Sequence, residues 1–212
     1  MVATYHTGMP SLPVADLQEP AALAEALREC GACLLPAFPD PAHTEALRDA
    51  LKLQQARGAL RAAEVGHGAD QLLRTGIRGD DTRWLDGDCG QAALDYLFCL
   101  QSLRQTLNRL LFLGLEQEEA HFACYPAGAA YARHRDQFQD SNTRVLSMVS
   151  YLNDNWSASQ GGALRLYLAQ GTIELLPHAG TSIVFLSDIE HEVLPATRER
   201  LSIAGWLRTR AR

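Results

Sequence analysis

Apolar positions recur at helical spacing through much of the first half of this chain and in short alternating or continuous runs through the second. From Leu17 to Cys30, the residues Leu23, Ala24 and Leu27 form a stripe behind Pro20, which suits a first helical turn, so the pattern predicts a helix. Cys33 to Phe38 is an apolar run bounded by Gly31 and Pro39 and reads as a buried strand. A second helix runs from Pro41 to about Ala56, with Asp40 as its N-cap and Leu47, Ala50 and Leu51 on one face. Gln91 to Leu115 is apolar over a broad face, the mark of a long helix that backs a sheet.

After Glu119 the texture changes to short strands separated by turn signals. Strands are predicted at 121–125, 130–134, 144–152, 163–168, 171–176, 181–186, 190–195 and 201–207. The last carries Arg200, Ser202, Ala204 and Trp206 in alternation with Leu201, Ile203 and Leu207, so one of its faces is unusually polar. Between the helices, residues 58–90 are polar and Gly-rich, with short strands around Gln71 to Leu73 and Arg83 to Leu85 and a loop through Arg78-Gly79-Asp80. A stretch this long without periodicity reads as a lid over a site or as a solvated hairpin. Residues 1 to 17 form an arm. Together the elements predict an α+β, mainly β domain: a jelly roll, or double-stranded β-helix, supported by N-terminal helices and one long helix. We expect a single domain over 1–212, with 1–118 as helical support and mobile loop and 119–212 as the core that carries a metal site.

Composition narrows the function. The hydrophobic content of 47% is ordinary, no apolar run approaches the ~20 residues that span a bilayer, and the amino terminus lacks a signal-peptide pattern, so a cytoplasmic protein without a membrane partner is expected. A net charge of -6 argues against nucleic acid as a partner. Positive charge is nonetheless gathered in Arg133, Arg135, Arg144, Arg165, Arg198 and Arg200, which suits an anionic small molecule. The five cysteines form no dense framework and fit a reducing compartment. Cys30-Gly31-Ala32-Cys33 has the spacing of a redox pair, but it ends a helix rather than opening one, and the redox reading is set aside.

The candidate chemistry lies in Tyr131-Ala132-Arg133-His134-Arg135-Asp136. In extended chain His134 and Asp136 share a face, which places an imidazole and a carboxylate side by side as metal ligands. With His191 they compose two histidines and one carboxylate, the facial triad of non-haem Fe(II) oxygenases, which leaves coordination positions open. His43-Thr44-Glu45 fits the same loose pattern but falls on a predicted helix, where positions two apart diverge. Arg200 follows His191 across a turn and would return to the same pocket, where its planar fork suits a carboxylate.

These motifs, together with Ile77-Arg78-Gly79-Asp80 and Trp84, Ala123-Cys124-Tyr125-Pro126, Tyr151-Leu152-Asn153 with Trp156, Gly161-Gly162-Ala163-Leu164-Arg165 and His191-Glu192-Val193-Leu194-Pro195, give the chain a resemblance to a known family. It resembles the prolyl 4-hydroxylase branch of the Fe(II)- and 2-oxoglutarate-dependent oxygenases, close to the oxygen-sensing prolyl hydroxylases and their bacterial relatives. The resemblance implies that His134, Asp136 and His191 hold Fe(II) and that Arg200 pairs with the distal carboxylate of 2-oxoglutarate, assisted by Tyr151. It implies a pocket lined by Tyr125, Leu164, Val193 and Trp206, and a substrate met by Arg78, Asp80 and Arg144. Gln137 stands where the animal enzymes usually have Asn. The implied reaction consumes O2 and 2-oxoglutarate, with ascorbate as reductant, releases succinate and CO2, and hydroxylates a prolyl residue of a protein, elongation factor Tu being the best candidate. Three other readings share the same pocket: hydroxylation of a small molecule, a non-catalytic sensor of 2-oxoglutarate or metal, and a cupin-type jelly roll using another metal.

Overall fold

The computed structural model describes residues 11–63, 78–137 and 143–210. Three helices come before the main run of strands. α1 spans Pro20–Cys30 and stops at Gly31, whose φ of 72° few other residues tolerate. α2 spans Pro41–Ala56, and the Asp40 carboxylate accepts a hydrogen bond from the His43 amide at its start. α3 spans Gln91–Leu111, shorter than the apolar pattern implied. Phe112 takes a left-handed conformation, and the Asn108 side chain bonds both backbone groups of Leu115, turning the chain away from the helix axis.

The strands are β1 (Ala32–Leu35), β2 (Arg61–Ala62), β3 (Asp81–Trp84), β4 (Gln117–Tyr125), β5 (Tyr131–His134), β6 (Arg144–Tyr151), β7 (Leu164–Leu168), β8 (Gly171–Leu175), β9 (Ser182–Leu186), β10 (His191–Val193) and β11 (Arg200–Arg208). All eight strands expected after Glu119 are present. The expected strand from Cys33 to Phe38 instead ends at Leu35, since Pro36 has no amide hydrogen with which to extend the pairing with β9. β2 had no counterpart in the pattern, and the strand expected around Gln71 to Leu73 lies outside the described residues.

The strands form two antiparallel sheets, one of seven in the order β1-β9-β6-β11-β4-β3-β2 and one of four in the order β5-β10-β7-β8. The alternation along β11 assigns its faces. Leu201, Ile203 and Leu207 join Leu23, Leu47, Leu51, Leu100 and Leu107 in a core between the large sheet and the helices. A second cluster, with Tyr125, Tyr151, Leu164, Leu166, Ile183 and Phe185, fills the space between the sheets. On the helix side the buried hydroxyls are satisfied in series: Tyr96 Oη and Ser150 Oγ at 2.8 Å, Ser150 Oγ and Ser182 Oγ at 2.5 Å, and Ser182 Oγ donating to the Phe38 carbonyl at 2.7 Å.

Much of the positive charge noted in the sequence is neutralised across strands. On the four-stranded sheet Arg133 pairs with Glu190, and Arg165 bridges Glu174 and Glu192 at 2.6 and 2.7 Å. Arg198 lies over the Trp156 ring and bonds the Asp154 carbonyl. Of the six arginines, only Arg135, Arg144 and Arg200 line the cleft between the sheets.

Candidate active site

The cleft opens at one end of the space between the sheets, and the strand pairing places its polar groups. His134, at the end of β5, is directly opposite His191, at the start of β10. Asp136 follows two residues beyond His134. The ligating atoms of the three side chains lie within 4.8 Å of one another, the only such cluster among the described residues. His134 Nε2 is 3.6 Å from Asp136 Oδ1, and His191 Nε2 is 3.7 Å from Asp136 Oδ2.

Each histidine spends its other nitrogen on the backbone, His134 Nδ1 on the Ala132 carbonyl at 2.7 Å and His191 Nδ1 on the Ile189 carbonyl at 3.0 Å. A carbonyl can only accept, so both rings carry hydrogen on Nδ1, which leaves Nε2, on the Asp136 side, as the nitrogen that can ligate a metal. The ring of Tyr131 stacks on His134 at 3.6 Å, and Phe185 meets His191 edge-on at 4.9 Å. Burial drives the His191 pKa down despite the nearby Asp136 carboxylate, so this ring is neutral. Burial alone would raise the Asp136 carboxyl, but the attraction of any proton carried by His191 or His134, together with the Ser147 hydroxyl, holds it well below the usual carboxylate range. Ser147 Oγ donates to Asp136 Oδ2 at 2.6 Å and is itself 2.9 Å from Ser187 Oγ. A neutral imidazole and an ionised carboxylate are the forms a divalent metal binds.

Deeper in the cleft Arg200 is only 1% exposed. Its Nε donates to the Gly162 carbonyl at 2.9 Å and Nη1 to Ser202 Oγ at 3.1 Å. Among the described residues Nη2 has no hydrogen-bond partner, and neither has the buried hydroxyl of Tyr151, whose ring centre is 5.3 Å from the guanidinium carbon. Burial pushes the Tyr151 phenol up to about 12, with Arg200 opposing, so it remains a donor. A buried cation and a buried hydroxyl, both unsatisfied and side by side, fit one carboxylate of a ligand. The neighbourhood holds Arg200 firmly. Asn153 bonds both backbone groups of Leu201, at 2.6 and 2.9 Å, and the Trp156 indole donates to the Gly161 carbonyl. Gly162, at φ 73°, must be glycine, because a Cβ there would stand 2.9 Å from both Ala196 and Trp156.

The sequence-expected pocket residues Tyr125, Leu164, Val193 and Trp206 line the cleft, and Tyr151 lies behind Arg200. Arg78 and Arg144 also line it. Asp80 does not: its side chain is fully buried and grips Arg78 bidentately, Nε to Oδ1 at 2.7 Å and Nη2 to Oδ2 at 3.0 Å. Arg144 stacks on Trp206 at 3.6 Å and is paired with Glu119 at 2.7 Å. His43 is remote from this site in the fold, bonded to the Ala92 carbonyl from α2. The redox spacing stays unused as well, for Cys33 is buried and its thiol is raised to about 11, by burial first and then by Cys30. Sequence reasoning passed over Ser147, His121 and Tyr131 as site residues. A serine or histidine within a strand carries no pattern of its own, and Tyr131, three residues before His134, falls on the opposite face by strict alternation; the irregularity in the pairing of β5 with β10 accompanies the stacking of its ring on His134, and no sequence pattern announces it.

Residues 120–208 match the model of the 2OG-Fe(II) oxygenase superfamily. The fold superimposes on a prolyl-4-hydroxylase of Pseudomonas putida with a TM-score of 0.82 and 42% identity, covering 90% of this chain and 99% of the other. A prolyl hydroxylase of Trichoplax adhaerens, solved with a hypoxia inducible factor oxygen degradation domain peptide fragment, gives a TM-score of 0.78 and 29% identity over 91% of each chain. The human prolyl hydroxylase EGLN3 is 29% identical over 196 residues, 85% of this chain and 79% of its own.

Proposed function

The chain belongs to the prolyl hydroxylase family of the 2OG-Fe(II) oxygenases and is a 2-oxoglutarate-dependent dioxygenase, and on that premise we propose that it hydroxylates a prolyl residue in a loop of another protein. The observation that carries the reading is the pairing of two half-finished sites in one cleft: three metal-ligand atoms within 4.8 Å, and an unsatisfied guanidinium nitrogen beside an unsatisfied phenol.

In this reading His134, Asp136 and His191 hold Fe(II). The backbone bonds to both Nδ1 atoms keep the two Nε2 lone pairs in place, and Ser147 occupies Asp136 Oδ2. Arg200 and Tyr151 take the distal carboxylate of 2-oxoglutarate, which satisfies both orphaned groups at once. Tyr125, Leu164 and Val193 wall the cosubstrate from water. With O2, the bound metal and cosubstrate supply the oxidant that inserts one oxygen atom into a C–H bond, while 2-oxoglutarate leaves as succinate and CO2. Trp206, Tyr131, Arg78 and Arg144 stand around the cleft and offer aromatic faces and guanidinium groups to the substrate chain. A prolyl ring packs readily against such faces, and donors of this kind suit peptide carbonyls. The Trichoplax relative, solved with a peptide fragment, supports a protein rather than a free amino acid. Elongation factor Tu is the candidate host protein that the likeness to bacterial prolyl hydroxylases favours.

Mass spectrometry of elongation factor Tu and of a whole bacterial lysate, each incubated with the chain, Fe(II), 2-oxoglutarate and ascorbate, tests this. We expect a one-oxygen gain on one specific prolyl residue, absent with His134→Ala. Succinate formation without any modified peptide would replace the protein substrate by a small molecule, and no 2-oxoglutarate turnover at full metal loading would reduce the site to a sensor.

A further inference from the structure

His121 lies on β4, is 3% exposed, lines the cleft, and takes no part in holding metal or cosubstrate as described above. Its ring forms a triangle with two indoles, 5.1 Å from Trp84 and 5.2 Å from Trp206, which are 6.2 Å from each other. Its Nδ1 is 3.0 Å from the Phe122 carbonyl, and its Nε2 is 3.3 Å from Nη2 of Arg78. An arginine has no lone pair to offer, so Arg78 must donate and Nε2 must accept. That is possible only when the ring hydrogen sits on Nδ1, where the Phe122 carbonyl receives it. The two contacts therefore select the same tautomer.

Arg78 is then held on several sides. Asp80 grips Nε and Nη2, His121 accepts from Nη2, and the guanidinium carbon lies 4.9 Å from the centre of the Tyr131 ring. Nη1 makes no hydrogen bond among the described residues. An arginine with all but one nitrogen committed is a directed donor rather than a loose charge. We propose that His121 is a positioning residue for substrate recognition: together with Asp80 it fixes Arg78 so that Nη1 is offered to a backbone carbonyl of the polypeptide being hydroxylated. The proposal rests on the prolyl hydroxylase reading for its substrate, though the clamp itself does not. Burial, reinforced by Arg78, drives the His121 pKa down to about 4, so the ring stays an acceptor at neutral pH.

Two measurements on the full chain test this separately. In nitrogen-15 spectra of the guanidinium groups, Arg78 in the wild type should show slow rotation about its Cζ–N bonds, and His121→Leu should abolish it while His121→Gln, whose amide oxygen can accept, keeps part of it. An Arg78 signal unchanged in His121→Leu overturns the clamp whatever the substrate is. With the peptide identified by mass spectrometry, His121→Leu should raise its KM about tenfold and lower kcat far less, with His121→Gln recovering most of the loss. The double variant with Arg78→Ala should be no worse than Arg78→Ala alone, because His121 acts through Arg78. Additive losses would assign His121 a separate role and overturn the positioning one. Should no peptide be modified by the wild type, the hydroxylase reading fails on its own and the spectra still decide the clamp.

Discussion

Ser150 and Tyr151 are neighbours on β6 whose side chains face opposite sides of the same sheet, and they mark two different kinds of interior. On the helix side Tyr96, fully buried, shares its hydroxyl with Ser150, which passes the bonding on to Ser182 and the backbone. On the cleft side the hydroxyl of Tyr151, equally buried, has no hydrogen-bond partner among the described residues, and nor have Arg200 Nη2 and the Trp206 indole nitrogen. An unmade bond in a buried place costs about 1 to 3 kcal/mol. The helix side spends its polar groups on the fold. The cleft side keeps them for a ligand, and the unliganded chain is less stable for it.

Substitutions on the two sides should separate these roles. The largest effect is expected at Arg200: Arg200→Met should weaken 2-oxoglutarate at least about thirtyfold, read by anaerobic titration calorimetry with Fe(II) present. An unchanged affinity would move the carboxylate elsewhere. Ser147→Ala should cost about tenfold in metal affinity, measured by competition with a chelator, since Asp136 loses the bond that orients it. The smallest effects make the sharpest contrast. Tyr96→Phe should lower unfolding free energy by about 1 kcal/mol and leave 2-oxoglutarate affinity alone. Tyr151→Phe should do the reverse, weakening 2-oxoglutarate about fivefold with stability of the unliganded chain within about 0.5 kcal/mol. Equal stability losses in the two denaturation curves would mean that the sides do not differ in this way.

The strands and their faces were legible because alternation is local: the polar row Arg200, Ser202, Ala204 and Trp206 needs only β11 to be seen. The metal triad was legible in part from spacing and in part from the family resemblance, and its geometry followed from the register that sets His134 against His191. What escaped depends on contacts between distant strands. Arg165 read as available charge until Glu174 and Glu192 stood beside it. Asp80 read as a substrate contact, but its burial makes it the holder of Arg78. Ser147 and His121 have meaning only through Asp136 and Arg78, which no periodicity in their own strands announces.

β11 is the last described strand in sequence, yet it lies near the middle of the large sheet, between β6 and β4. During synthesis its neighbours β4 and β6 leave the ribosome well before it does, so they exist for a time without the strand that joins the two halves of the sheet. Pairings so far apart along the chain form slowly. Arg200 opens that strand, and with the role proposed for it, cosubstrate recognition and closure of the sheet arrive in one event. A newly made chain is therefore expected to gain its affinity for 2-oxoglutarate all at once, at the end of folding, and 2-oxoglutarate in the cell to favour the closed form over every partly folded precursor.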